Sequence, residues 1–146
     1  MIRALLPPSY AIAFLMIFFA FASLALAETT AFTADLRGSF EVPPIDSQAK
    51  GRAELTYDDS RKILRWTITY WGLTGKTTSA HFHGPAKEGE NAGPMITISP
   101  LASPMKGAAI LTEDQVKALL GGTMYINVHS AKYPDGEIRG QITPAS

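Results

Sequence analysis

The stretch that decides the fold is residues 124–142, which reads MYINVHSAKYPDGEIRGQI. Apolar and polar residues alternate on both sides of the sequence Tyr-Pro-Asp-Gly at residues 133–136. Proline fixes φ and glycine accepts a left-handed backbone, so these four residues favour a turn. The stretch therefore predicts an antiparallel hairpin. A register that keeps both apolar sets on one face pairs Tyr125 with Gln141, Asn127 with Arg139 and His129 with Glu137.

The same alternation recurs over residues 32–36, 49–57 and 64–70, with breaks rich in glycine and proline between them. Strict alternation is typical of a strand that buries one face and exposes the other. Many short strands separated by frequent turns are typical of an antiparallel sandwich or barrel. We therefore expect a mainly β fold.

One segment departs from this pattern. Thr112 is followed three residues later by Gln115, which is the spacing of a capping box at the start of a helix. Acidic residues fill the first turn, and two glycines follow Leu120. The segment predicts one short helix from Thr112 to about Leu120.

The first 27 residues differ in composition from the rest. Arg3 is their only charged residue, an apolar run follows, and the segment ends in the small-x-small pattern Ala25-Leu26-Ala27. These features predict a cleaved secretory signal peptide over residues 1–27 and a single domain over residues 28–146. The competing interpretation is an uncleaved membrane anchor, since the apolar run is borderline in length for spanning a bilayer. We expect a secreted or periplasmic protein with no stable membrane anchor after cleavage.

Composition excludes several classes of function. The chain has 13 basic and 13 acidic residues, whereas a nucleic-acid-binding protein shows a clustered basic excess. It has no cysteine, which removes disulfides, thiolate metal sites and cysteine nucleophiles. Ser130 follows His129 directly, but neighbours on a strand face opposite sides, so they do not form a nucleophile–base pair. We expect a protein without catalytic residues.

The three histidines form the most specific pattern. His81 and His83 are separated by one residue, so both side chains lie on the same side of a strand, and His129 lies on the polar face of the hairpin. Three imidazoles with one open position suit Cu²⁺ or Zn²⁺, and Glu137 opposite His129 would fix the tautomer of that ring. The alternative is that the histidines only form structural hydrogen bonds.

The rest of the polar hairpin face is expected to support this region. Arg139 stands between Ile138 and Gly140, and the missing side chain of the glycine leaves room for its guanidinium to reach carbonyls or Glu137. We interpret Arg139 as a structural brace, with anion or ligand binding as the alternative. The supporting polar residues are Tyr125, Asn127, Glu137 and Arg139.

Taken together, these motifs resemble the CHRD (chordin) domain family, in its single-domain microbial form, over about residues 32–143. The resemblance is carried by the stretches GRAEL (51–55), YWGL (70–73), SAHFHGPA (79–86), LGGTMYINVHS (120–130) and PDGEIRGQI (134–142).

The resemblance implies an immunoglobulin-like antiparallel β-sandwich or barrel, and it implies fold and compartment better than function. The first hypothesis is an exported, non-catalytic binding or structural module whose partner is an unidentified protein or small ligand. The alternative is a copper- or zinc-binding protein that uses His81, His83 and His129. The long loop over residues 84–94 is where we expect a partner to bind.

Overall fold

The structure is a computed structural model that describes residues 28–146. The predicted signal peptide, residues 1–27, lies outside the described residues. Within the described part of the chain, no helix is both long enough and apolar enough to cross a membrane. The elements are β1 (Thr29–Arg37), β2 (Lys50–Asp58), β3 (Ile63–Trp71), β4 (Thr77–His83), β5 (Pro94–Thr97), β6 (Met105–Ile110), α1 (Glu113–Leu120), β7 (Tyr125–Ser130), β8 (Ile138–Gln141) and β9 (Thr143–Pro144), with a 3₁₀ turn at Gly38–Phe40.

The strands form one antiparallel sheet in the order β5-β4-β7-β8-β1-β2-β3-β6, and β9 pairs with β1. The sheet curls into a half-barrel around the apolar core. This confirms the prediction of a mainly β, antiparallel fold, which here is built from a single curled sheet. The two ends of the strand order, β5 and β6, are the sheet edges.

The hairpin register agrees with the one derived from the sequence over the whole of β8, but the ladder ends at Val128 and Ile138, so the predicted pair of His129 with Glu137 is not part of it. Tyr125 pairs with Gln141 and Asn127 with Arg139, so the apolar residues of β7 and β8 share the core face. The inner face of the sheet is filled by alternate strand residues, each at most 6% exposed. They include Phe32, Leu36, Leu55, Leu64, Trp66, Ile68, Phe82, Ile126, Val128 and Ile138.

The helix is also where the sequence places it. The Thr112 side chain accepts a hydrogen bond from the Gln115 backbone N–H, and the Gln115 side chain accepts one from the Thr112 backbone N–H. The capping box therefore begins α1, which runs to Leu120 as expected. The Gln115 amide also donates to the Met95 carbonyl and so ties the helix to β5.

Gly140 marks the closest approach of two strands. A Cβ atom at this position would overlap the backbone carbonyl oxygen of Asp35 on β1. A backbone atom cannot rotate away as a flexible side chain can, so even one methyl group would push β8 and β1 apart. Glycine is therefore required here by the packing of the sheet, whereas a Cβ on Gly93 would meet no atom within 4 Å.

We predict that Gly140→Ala lowers the free energy of unfolding by about 1–3 kcal/mol, because it overpacks the contact between β8 and β1. Urea denaturation measures this loss. Gly93→Ala is the control, with an expected change within about 0.5 kcal/mol. Equal stability of the two variants would contradict the close approach of the strands.

Candidate functional site

The three histidines meet on the outer face of the sheet, which we define as the face opposite the apolar core. β4 and β7 are neighbours, and their register pairs Ser79 with His129 and His81 with Asn127. His129 is therefore a diagonal neighbour of His81 across the two strands. Each histidine places one ring nitrogen such that the three nitrogens lie within 4.8 Å of one another. The strand pairing thus brings together all three residues that the sequence selects.

Backbone carbonyls orient two of the three rings. The Nδ1 atom of His83 lies 2.9 Å from the carbonyl oxygen of Ala92, and that of His129 lies 2.9 Å from the carbonyl oxygen of Pro134. A carbonyl can only accept, so Nδ1 is the donor in both rings and Nε2 is the nitrogen that remains for another ligand. Both Nε2 atoms are buried and have no hydrogen-bond partner among the described residues. An imidazole that is tethered through one nitrogen and free at the other is the usual arrangement of a metal ligand.

Over β7 the outer face is buried, whereas over β2 it is solvated as alternation predicts. His83 and His129 are each 9% exposed, and every residue of β7 is buried. Three segments lie against this face: the loop after β4 over His83 and Tyr125, the segment between β1 and β2 over Asn127, and the turn at Pro134 beside His129. Burial is the main reason why the pKa values of His81 and His83 lie below the usual 6.5. Both rings are therefore neutral at neutral pH, which is the form that binds metals.

Arg139 holds this covering loop in place. Its guanidinium donates hydrogen bonds to the carbonyl oxygen of Glu90 at 2.6 Å and to the side-chain oxygen of Asn91 at 3.0 Å. It lies 3.6 Å from the centre of the Tyr125 ring and is 2% exposed. The predicted brace is therefore present, and it reaches the loop carbonyls. Gly140 faces the other way, towards β1, so it is not the residue that makes room for the guanidinium.

Tyr125 links the brace to the histidines. Its hydroxyl lies 3.1 Å from both the N–H and the carbonyl oxygen of Ala92, the same carbonyl that orients His83. Its ring stacks on the His83 ring, with centroids 5.0 Å apart and planes tilted by 10°. β7 lies between β4 and β8. Tyr125 therefore contacts His83 of β4 on one side and Arg139 of β8 on the other. The orientation of the His83 ring therefore depends on both Tyr125 and Arg139.

The role predicted for Glu137 is wrong. One carboxylate oxygen, Oε1, accepts hydrogen bonds from the Ser47 hydroxyl and from the backbone N–H and hydroxyl of Thr74, and none of these residues lies beside His129. Burial alone raises the pKa of Glu137, but these hydrogen bonds outweigh it and lower the pKa overall. β8 begins only at Ile138, so strand alternation does not fix the direction of Glu137. The carbonyl of Pro134 takes the place predicted for this carboxylate at His129.

Asn127 has a buried partner that the sequence does not indicate. The Asn127 amide donates to the Glu41 carboxyl at 3.3 Å, and Glu41 is only 6% exposed. Burial raises the pKa of Glu41 to about 7, although the nearby Arg139 and the Asn127 amide oppose the rise. Glu41 lies in the segment between β1 and β2, where no local pattern indicates burial. Only the folding of that segment against β7 makes it part of the site.

The sequence model of the CHRD domain family matches residues 32–142, which include all three histidines. The chain belongs to the CHRD domain family. Membership in the CHRD family supports a binding module without catalytic activity in general. Comparison with curated proteins finds no match, and comparison with solved structures finds none either. The identity of a ligand therefore has to be argued from the geometry of the site.

We predict a pH-dependent contribution of Glu41 to stability. Below its ordinary pKa of 4.5, the carboxyl is protonated in both the folded and the unfolded chain. Above it the unfolded chain ionises, while the folded chain keeps the proton until about pH 7. The contribution of Glu41 to the free energy of unfolding therefore falls as pH rises from about 4.5 to about 7, and then levels off.

Glu41→Gln removes this dependence because its amide does not ionise. Urea denaturation at intervals across this pH range should show a smaller loss of stability for the variant than for the wild type. Glu88→Gln is the control, because Glu88 is exposed and should leave the wild-type pH profile unchanged. Parallel profiles for the wild type and Glu41→Gln would contradict the buried, protonated carboxyl.

Proposed function

We propose that the protein is an exported, non-catalytic binding module of the CHRD family, secreted or periplasmic, whose partner is a protein or small ligand and not a nucleic acid. The family match over residues 32–142 is the observation that carries the binding function. The leader-like composition of residues 1–27 supports export. The absence of a clustered basic excess argues against a nucleic-acid partner.

Export predicts a defined mature terminus. Signal peptidase cleavage after the Ala25-Leu26-Ala27 pattern would leave Glu28 as the first residue. Mass spectrometry of the protein recovered from the periplasm or medium of an expressing bacterium should find a chain of residues 28–146. Ala27→Arg should block cleavage and leave the precursor in the membrane fraction. Full-length protein in the cytosolic fraction for both forms would contradict export.

A second function, metal binding, is favoured by one specific observation. The Nδ1–carbonyl bonds of His83 and His129 leave both Nε2 atoms without a partner among residues 28–146, and one ring nitrogen of each histidine, His81 included, lies within 4.8 Å of the others. We propose that these three histidines bind one Cu²⁺ or Zn²⁺ ion. Nitrogens that bind such an ion at about 2.0–2.1 Å are about 3.3 Å apart in tetrahedral geometry. The three nitrogens are at most 4.8 Å apart, so metal binding requires them to move closer to one another by no more than about 1.5 Å.

His81 is the ring best able to make this adjustment. His83 and His129 are each tethered to a carbonyl. His81 is half-buried, and its ring lies edge-on to the other two imidazoles without a side-chain hydrogen bond among residues 28–146. Its ring centroid lies 5.5 Å from that of His83 and 5.4 Å from that of His129. Rotation of the His81 side chain adjusts its distance to both other rings, whereas the His83 and His129 centroids, 6.2 Å apart, approach each other only if those two rings also move.

We predict that the mature protein, purified without a histidine tag, binds one equivalent of Cu²⁺ or Zn²⁺. His83→Ala should weaken this binding by at least about tenfold, because it removes a pre-oriented ligand. Isothermal titration calorimetry measures the affinity, and circular dichroism verifies that the variant is folded. Glu88→Ala, an exposed carboxylate in the loop after β4, is the matched control and should bind like the wild type. No heat with either ion, or equal uptake by His83→Ala, would contradict the metal site.

A further inference from the structure

The histidine cluster supplies only part of the coordination that Cu²⁺ or Zn²⁺ requires. Within residues 28–146, the group of potential ligands consists of His81, His83 and His129, with no carboxylate among them. Structural zinc sites are closed by four protein ligands, whereas sites with three protein ligands keep one position for water or substrate. A cation bound here would therefore take at least one ligand from outside the cluster.

Charge determines what this ligand would be. Three neutral imidazoles leave the full charge of a divalent cation uncompensated. The Tyr125 ring stacks on His83, and the Arg139 guanidinium lies 3.6 Å from the centre of that same ring. The charged side chain packed next to the histidines is therefore also a cation. Glu41 contacts Asn127 and not a histidine. An anion in the open position is therefore favoured over a neutral ligand.

Burial determines the side from which the ligand would arrive. His83 and His129 are covered, with buried Nε2 atoms, while His81 is half-buried. His81 pairs with Asn127 on one side and with Thr97 on the other, and Thr97 lies on the edge strand β5. Thr97 is exposed and is the cross-strand partner of His81, so an approach to His81 over this sheet edge passes a short side chain.

We infer that the metal bound by His81, His83 and His129 has an exchangeable coordination position, reached over β5 past Thr97, that takes a small anion. This inference rests on the proposed metal site and extends it. It assigns to the protein a ligand class, small monoanions such as azide, formate or bicarbonate, which exchange at the metal without displacing a histidine. The centre would then be an anion-binding site and not a closed structural one.

Azide is the probe, because its coordination to Cu²⁺ produces a ligand-to-metal charge-transfer band. The mature protein loaded with one equivalent of Cu²⁺ is titrated with sodium azide and followed by visible absorption and electron paramagnetic resonance. We expect a new band that saturates at one azide per copper, with the copper retained on the protein after ultrafiltration.

A blocking variant tests the route. Thr97→Trp fills the approach over β5 and should weaken azide binding by about tenfold or more, with the Cu²⁺ affinity unchanged. Thr56→Trp is the matched control, because Thr56 is an exposed threonine on the outer face of β2. It should bind azide like the wild type.

The outcomes separate the inference from the function on which it rests. Copper binding without any spectral response to azide overturns the exchangeable position and leaves the metal site intact. Azide that strips copper from the protein also overturns it, because the anion then competes with the histidines. Failure of Cu²⁺ and Zn²⁺ to bind at all overturns both the metal site and this inference.

Discussion

The burial of the Arg139 guanidinium is the constraint on which the outer face depends. A buried charge is tolerated only when hydrogen bonds and nearby polarisable groups replace its hydration. Here the Glu90 carbonyl, the Asn91 side chain and the Tyr125 ring provide that environment. Satisfying the guanidinium requires the loop after β4 to lie over the sheet. The same position of the loop places the Ala92 carbonyl next to His83. The contacts of Arg139 and the orientation of the His83 imidazole therefore depend on the same loop conformation.

The covered outer face also shows how the half-barrel acquires a site outside its core. The inner face buries apolar side chains, as in any sheet of this kind, and leaves little room for chemistry. The outer face around β7 carries buried polar side chains. Each of them is hydrogen-bonded to a loop or turn that connects two strands and packs against the sheet. The carbonyls that orient His83 and His129 come from two such segments, the loop after β4 and the turn at Pro134. A partner that moved either segment would therefore also move a potential ligand.

Local rules of sequence account for much of this arrangement. Alternation places His81, His83 and His129 on one face, because a period of two leaves no other choice once the core side is known. The capping box fixes the start of α1. Tertiary contacts that no local rule describes account for the rest. Glu137 turns away from His129 because it precedes the first residue of β8, and Glu41 becomes buried only through the path of the segment between β1 and β2.

The hydrogen bonds of Glu137 have a consequence for the order of folding. Its carboxylate joins Ser47, 90 residues away in sequence, and Thr74, 63 residues away. Contacts of such high sequence separation carry a large entropic cost of loop closure, and folds that depend on them form slowly. Interactions that form after the transition state slow unfolding and leave the folding rate almost unchanged. A carboxylate that joined Ser47 and Thr74 only after the transition state would lengthen the lifetime of the native state and leave its rate of formation almost unchanged.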